Sequence, residues 1–304
     1  MRKQYLLLSN LHIHNANAMS SSYTIGFPAI TGWLGAVHAL ERNLKANGFS
    51  NLRLNKTAIS CSECSVQWYR GPGDYRWSIC GTANPLKKKG SGFERPPFVE
   101  EPRCDLRVNL LIEMFGYQDE YREELLQCVA KQLVRLKIAG GDIVNEIDSS
   151  CLKILSLNPE NETDRRKINY ALRPGFVIRS RRELLLNYQA GDSLDGLLSA
   201  MKVICHLEKD ANGKVVSSQY EKYESDGWLV PIVVGFKDIS GQCKVDNQRT
   251  YEYEHHFVEP IATIGEFVLP YRCESVSEFM WSYRYDAGNG LYLCEAEDPV
   301  KWKE

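Results

Sequence analysis

Residues 4–33 read QYLLLSNLHIHNANAMSSSYTIGFPAITGW, and the change of character along them sets the fold class. Residues 4–14 start as an unbroken apolar run and end in an alternation that puts His12 and His14 on one face. That is the pattern of a strand buried at its start and half-solvated at its end. Pro28 stands where a helix favours its first residue. Trp33, Val37, Leu40 and Leu44 then recur at helical spacing until Asn47 and Gly48 stop the helix. Between strand and helix lie Asn15, Asn17, Ser20, Ser21, Ser22, Tyr23 and Thr24, all able to hydrogen-bond and none charged. Two readings of them are open: a turn with a Ser or Thr cap for the helix, or a set of groups that read the edges of a polar polymer.

The pattern continues outward. Residues 54–69, LNKTAISCSECSVQWY, are rich in β-branched and alternating positions and are read as a strand, with 75–80 pairing back after the turn GPGD. Residues 83–103 lose all periodicity and read as a long loop or protruding hairpin. A strand is predicted over 104–115. A helix follows over 118–138 through Leu125, Val129, Leu133 and Leu136, stopped by Gly140-Gly141. Short strands follow near 142–147 and 152–157. Strand, helix, strand, strand, helix, strand is the ferredoxin-like order shared by the RNA-recognition fold. The fold class is therefore α+β, with one lobe over 1–157 and a second, less regular one over 158–304. In that second lobe 164–172 reads as a basic helix, 192–206 as an amphipathic helix and 208–227 as an exposed linker or hairpin. GWLVPIVVGF (227–236) reads as a buried strand that Pro231 confines to an edge or a bulge.

Composition narrows the function classes. The 304 residues carry a formal charge of -2, with 43% hydrophobic and 25% charged residues, which argues against non-specific coating of nucleic acid but hides local asymmetry. The amino terminus has too short an apolar core for export, and no run of about 18 apolar residues exists to span a membrane. The ten cysteines are accordingly expected to be reduced, in a cytoplasmic setting.

Few motifs point to catalysis. No phosphate-binding G-x-x-x-x-G-K loop, G-x-S-x-G elbow or H-E-x-x-H helix occurs. Cys61-x-x-Cys64 lacks a second pair to complete a zinc site, and its odd spacing on a strand sets the thiols on opposite faces. His12, His14 and His38 lie near the polar turn and could serve a metal-independent ribonuclease, although no cations cluster about them in sequence. Basic residues are more telling. Arg165, Arg166, Lys167, Arg173, Arg179, Arg181 and Arg182 fall within 165–182 with no acidic residue among them, and Lys87, Lys88 and Lys89 precede Phe93 and Arg95. Acidic residues gather elsewhere, at 118–124, 252–259 and 295–298. Segregated charge in a near-neutral chain suits a directed phosphate track. On that reading the uncharged Asn and Ser residues supply edge hydrogen bonds to single-stranded RNA.

NANAMSSSYTIGFPAITGWLGAVHALER (15–42), LRPGFVIRSRREL (172–184), GWLVPIVVGF (227–236), and FVEPIATIGEFVLPYR and FMWSYRYDAGNGLYLCE near the end together resemble one family. It is the Csy family of type I-F CRISPR RNA-guided surveillance complexes, in its Cas-five-type (Csy-two) subunit, and the resemblance spans nearly the whole chain. It implies a modified RNA-recognition fold of the repeat-associated (RAMP) class with a thumb, for which 83–103 is the candidate by position and composition. It further implies a subunit that is not itself a nuclease and needs no metal or cofactor. The implied partners are the 5′ handle of the CRISPR RNA, the large subunit, the adjacent backbone subunit, and target double-stranded DNA near the protospacer-adjacent motif. Asn15, Asn17, Ser20, Ser21, Phe27, His38 and Arg42 stand where the first motif has them, while Ser22 and Tyr23 depart from its usual serine-proline-leucine. Arg173, Phe176, Arg179, Arg181 and Arg182 are the RNA-contact positions expected around the second motif, and Lys87, Lys88, Lys89 and Phe93 those of the thumb. The alternative to an RNA-binding scaffold is a RAMP endoribonuclease working through His12, His14 or His38.

Overall fold

The computed structural model describes residues 2–81, 85–95, 101–186, 192–210, 212–222, 227–241, 245–246, 248, 250 and 252–296. Strand β1 (Lys3–Asn17) is buried on both sides at its start: Leu6 and Leu8 enter one hydrophobic cluster, Tyr5 and Leu7 another. Burial on both faces is why the run there is continuous rather than alternating. Further along, Asn10 and Asn15 adopt φ of 55° and 58°, and the pairing of β1 slips beside each. Asparagine tolerates that left-handed conformation better than most residues. Between and beyond the slips Leu11, Ile13 and Ala16 stay in the core, leaving His12 and His14 on the other face.

The polar stretch after β1 is a small hairpin, β2 (Met19–Ser21) with β3 (Thr24–Ile25). Helix α1 (Ile30–Ala46) starts two residues beyond Pro28, and its N-cap, Ala29, makes no side-chain cap bond. The expected hydroxyl cap is thus absent, because the hydroxyls are used elsewhere: Ser20 donates to the Phe27 carbonyl at 2.9 Å, and Ser21 and Thr24 bond each other at 2.6 Å.

β4 (Arg53–Val66) and β9 (Arg103–Phe115) are long partners joined by an excursion. The excursion holds two short ladders, β5 (Trp68–Tyr69) with β6 (Ser78–Ile79) and β7 (Lys87–Lys89) with β8 (Gly92–Glu94). Residues 82–84 and 96–100, part of the expected thumb, lie outside the described residues. Helix α2 (Arg122–Leu133) is shorter than predicted. The glycines at its supposed end instead turn β10 (Lys137–Ile138) into β11 (Gly141–Ile143), with Ala139 and Gly140 at φ of 50° and 84°. β12 (Leu152–Leu157), α3 (Glu162–Ala171) and β13 (Phe176–Ser180) follow. The short α4 (Glu183–Leu186) precedes α5 (Ser193–Met201), which also ends early. The β-branched Val203-Ile204 pair opens β14 (Val203–Lys209), a ribbon with β15 (Val215–Lys222). The chain closes with β16 (Trp228–Asp238), β17 (Val258–Val268), β18 (Met280–Asp286) and β19 (Leu291–Glu295). Pro231 pairs only with β17, and a register slip lies between Val233 and Gly235.

Among the described residues eleven strands make one sheet. At its centre β12, β1, β9 and β4 lie side by side, every pair antiparallel. Beyond β4 the order runs β13, β17, β16, β19 and β18, and β18 returns to β4. β13 meets β4 at Ser60 and Cys61, and β18 meets it at Thr57 and Ala58, so the carboxyl-terminal strands form a ring closed on one edge of β4. Trp281 ties the ring by donating to the Ile178 carbonyl at 2.9 Å. The lobes expected at 1–157 and 158–304 therefore share a sheet and also a core, since Ile178, Ile232 and Trp281 pack in the same cluster as Trp33 and Leu40.

The layers decide where a ligand can reach. Helices α1 and α2 cover one face through Trp33, Leu40, Leu125 and Val129. The opposite face is covered only in part, by α3 and two 3-10 turns (270–272 and 276–279) over Tyr5, Leu7, Ile168 and Phe279. Among the described residues the rest of that face is open.

Candidate nucleic-acid interface

The open face is built by alternation. On β9, Cys104, Leu106, Val108 and Leu110 enter the core, so Arg103, Asp105, Arg107 and Asn109 project to the other side. Register sets His12 beside Arg107 on one flank and Glu63 beside Arg107 on the other. His14 Nδ1 lies 2.7 Å from Asp105, and the Glu63 carboxylate lies 3.7 Å from the Arg107 guanidinium. Asn109 accepts from the Asn10 amide at 2.7 Å and donates to the Arg173 carbonyl at 3.0 Å, which moors the 172–175 turn to the face.

Asn15 stands at the far end of this ladder. Its backbone amide donates to Asp105 at 3.0 Å, and its side-chain oxygen accepts from Gln67 at 2.9 Å. That leaves the Asn15 Nδ2 donor without a protein partner among the described residues. Gln67 opens the excursion, whose large apolar side chains are exposed: Trp68, Tyr69, Tyr75, Trp77, Leu86 and Phe93. Arg70, Arg76, Lys87 and Lys88 share the same arm. A polar ladder bordered by exposed aromatics and cations offers edge hydrogen bonds, stacking planes and phosphate contacts together.

The remaining expected residues are divided. Asn17 is half-buried and accepts from the Met19 amide at 3.0 Å; Ser20 and Ser21 are spent within the hairpin. Phe27 is buried, stacked on Trp33 with ring centroids 5.4 Å apart and edge-on to Phe267 at 5.0 Å. Phe27, expected at an RNA contact, is thus packed in the core. Tyr23 bonds the Pro260 carbonyl at 3.4 Å. His38 and Arg42 lie on the outer side of α1, the wrong side of the sheet for the open face. Lys89 pairs with Glu94 at 2.6 Å, while Lys87, Lys88 and Phe93 are exposed. Phe176 is half-exposed on β13, beside Cys61.

The basic run of 165–182 is not a free track. Arg179 is buried between Glu266 and Glu278, 2.8 Å from each, and Arg181 reaches Glu266 at 2.7 Å. Burial alone would lower the Arg179 pKa, but its bonds to the two carboxylates outweigh it and hold the guanidinium charged. Arg182 lies 3.6 Å from Glu295, and Lys167 lies 2.8 Å from Asp164; Arg166 pairs with Glu162. The carboxylates come from flanking and from distant sequence alike, so the linear segregation of charge does not survive folding. Arg173 is different: its guanidinium lies over the Tyr271 ring, 5.8 Å from the centroid.

The cysteine pair needs a correction as well. A register slip between Cys61 and Glu63 undoes the odd spacing: Cys61 pairs with Val108 and Cys64 with Leu106, both core-facing positions. Burial pushes the Cys61 thiol up to about 12. Among the described residues no three His, Cys, Asp or Glu side chains are placed to share a metal ion, and no helix is long and apolar enough to cross a membrane.

Asp105, Arg107, Asn109, Glu63 and Gln67 were not foreseen. The period-two polarity of RCDLRVN (103–109) was the available signal for the β9 members. Glu63 and Gln67 depend on a bulge and on the excursion, which leave no such trace.

An antiparallel α+β sheet with two long helices on one face and a solvated polar ladder beside α3 on the other belongs to a class able to present edge groups to a strand-like ligand. Within it the chain belongs to the family CRISPR-associated protein (Cas_Csy2), whose sequence model matches residues 6–294. CRISPR-associated protein Csy2 of Pseudomonas aeruginosa (strain UCBPP-PA14) is 30% identical to it over 311 residues, covering 94% of this chain and 93% of that relative.

Proposed function

We propose that the chain is a non-catalytic, RNA-binding subunit of a type I-F CRISPR surveillance complex that holds the 5′ handle of the CRISPR RNA on the sheet face opposite α1 and α2. The observation that carries this is the ladder of Asn15, Asp105 and His14 with Arg107 beside His12, open to solvent and bordered by the aromatic arm. The order β12–β1–β9–β4 supports a modified ferredoxin-like fold of the RAMP class, and the excursion after Val66 is the thumb. The carboxyl-terminal half docks on the large subunit; the exposed Val203, Leu207 and Tyr220 of the β14–β15 ribbon support that role. The adjacent backbone subunit and target duplex DNA near the protospacer-adjacent motif complete the set of partners.

The test is fluorescence anisotropy of labelled handle RNA against a scrambled strand, with the chain co-purified with its large subunit, over a range of salt. Handle-selective binding is expected, weakened by Asn15→Ala. For Arg107→Ala the log–log salt slope drops by about 0.7, the value of one phosphate on a single strand. Equal, weak binding of both RNAs would sink the reading. A second reading, endoribonuclease, draws on His14 paired to Asp105 with Arg107 beside His12. A denaturing gel of the same RNA separates them: a cut product lost in His14→Ala would favour the enzyme.

A further inference from the structure

On the same side of the sheet, at the opposite end from Asn15, an open groove of about 760 Å³ runs between β12, the start of β1 and α3. Its floor is apolar, with Leu7, Leu155 and Pro174. Its walls carry Lys153 from β12, Tyr170 from α3 and Arg173 from the following turn. α3 buries Ile168 and leaves Tyr170 turned out, 76% exposed.

The charges in the groove are of two kinds. Arg166 and Lys167 are tied to Glu162 and Asp164 on the first turn of their own helix. Lys153 and Arg173 have no carboxylate within 4.0 Å among the described residues. Arg173 is steered instead by the Tyr271 ring, a contact that orients a cation without neutralising it. Two available cations, an exposed phenol ring and an apolar floor thus converge on one groove.

We infer that this groove takes one unpaired nucleotide of a nucleic-acid strand, its phosphate between Lys153 and Arg173 and its base against Tyr170. A duplex keeps its bases stacked inside and would use only the cations. An acidic peptide would leave the phenol ring and the apolar floor unused. The inference rests on reading this side of the sheet as the nucleic-acid side, but needs no handle sequence, because stacking accepts any base.

The test uses the chain co-purified with its large subunit and a labelled oligouridylate, with a blunt RNA duplex as competitor. Tyr170→Ala is expected to weaken binding about 5- to 100-fold, and Tyr170→Phe to restore it. Lys153→Gln lowers the salt slope by about 0.7. Unchanged affinity in Tyr170→Ala overturns the inference, as does a duplex that competes as well as the single strand. Loss of handle selectivity with Tyr170 dependence intact would remove the handle reading and leave the groove standing. Intact handle selectivity without Tyr170 dependence would do the reverse.

Discussion

Glu266 is wholly buried, accepts from Arg179 and Arg181 at 2.8 and 2.7 Å, and takes a third bond from the Gly227 amide at 2.8 Å. Burial alone would raise its pKa, but the two guanidinium bonds outweigh that and hold it below its ordinary 4.5. A carboxylate with a depressed folded pKa adds stability that is full above the unfolded value and is lost as pH falls through the folded one. Unfolding midpoints in urea are therefore expected to hold from pH 7 to about 5 and to fall below about 4.5. Breaking a buried pair from one side costs about 3–5 kcal/mol, so Glu266→Gln should lose that much at pH 7 and flatten the acid limb. An unchanged midpoint would show that the cluster contributes nothing. Phe27 follows the same logic in apolar form: its truncation to alanine should cost about 3–5 kcal/mol, read by thermal unfolding. Phe27 and the Arg179 that Glu266 holds look functional in a list of letters, yet their partners make them structural.

At the scale of elements, β9 shows how much a period can carry. Its alternation places four core residues on one face and Arg103, Asp105, Arg107 and Asn109 on the other, and no distant contact is needed to see it. The end of α2 was not visible in this way. Helical spacing runs on through Leu136, but the chain turns away because β11 pairs with the end of β1, at Ile13 and His14. Gly141 permits that docking: a Cβ there would lie 2.6 Å from the His14 carbonyl oxygen and 2.8 Å from the Ala16 amide. Both are backbone atoms and have no rotamer to yield. Gly141→Val should thus displace the β10–β11 hairpin and disturb the slip at Asn15. The expected readout is faster hydrogen exchange at residues 13–17 and weaker handle binding, with the rest of the sheet still protected. Unaltered exchange at those amides would contradict the tight fit.

In the whole molecule the two halves are interleaved, not joined by a linker. β4 is shared by the central sheet and the carboxyl-terminal ring, and the cluster under α1 draws residues from both. Residues 1–157 alone would expose one edge of β4 and part of the α1 face, and 158–304 alone would lack the strand that closes its ring. Neither fragment should give a cooperative thermal transition, whereas co-expressed fragments should recover one; independent folding of 1–157 would refute this. The near-neutral charge of -2 acquires a spatial meaning here, because the arginines of 179–182 meet glutamates of 266–295 within the carboxyl-terminal half. By itself the sequence determined what depends on neighbours along the chain: the central strand and helix order, the polar face of β9, the protruding excursion and, through its motifs, the family. Only the tertiary structure decided which polar groups remain available. Whether Arg179, Phe27 or Ser21 can meet a ligand depends on residues tens or hundreds of positions away. A bulge of one residue, as at Cys61–Glu63, can move a whole side-chain set to the opposite face.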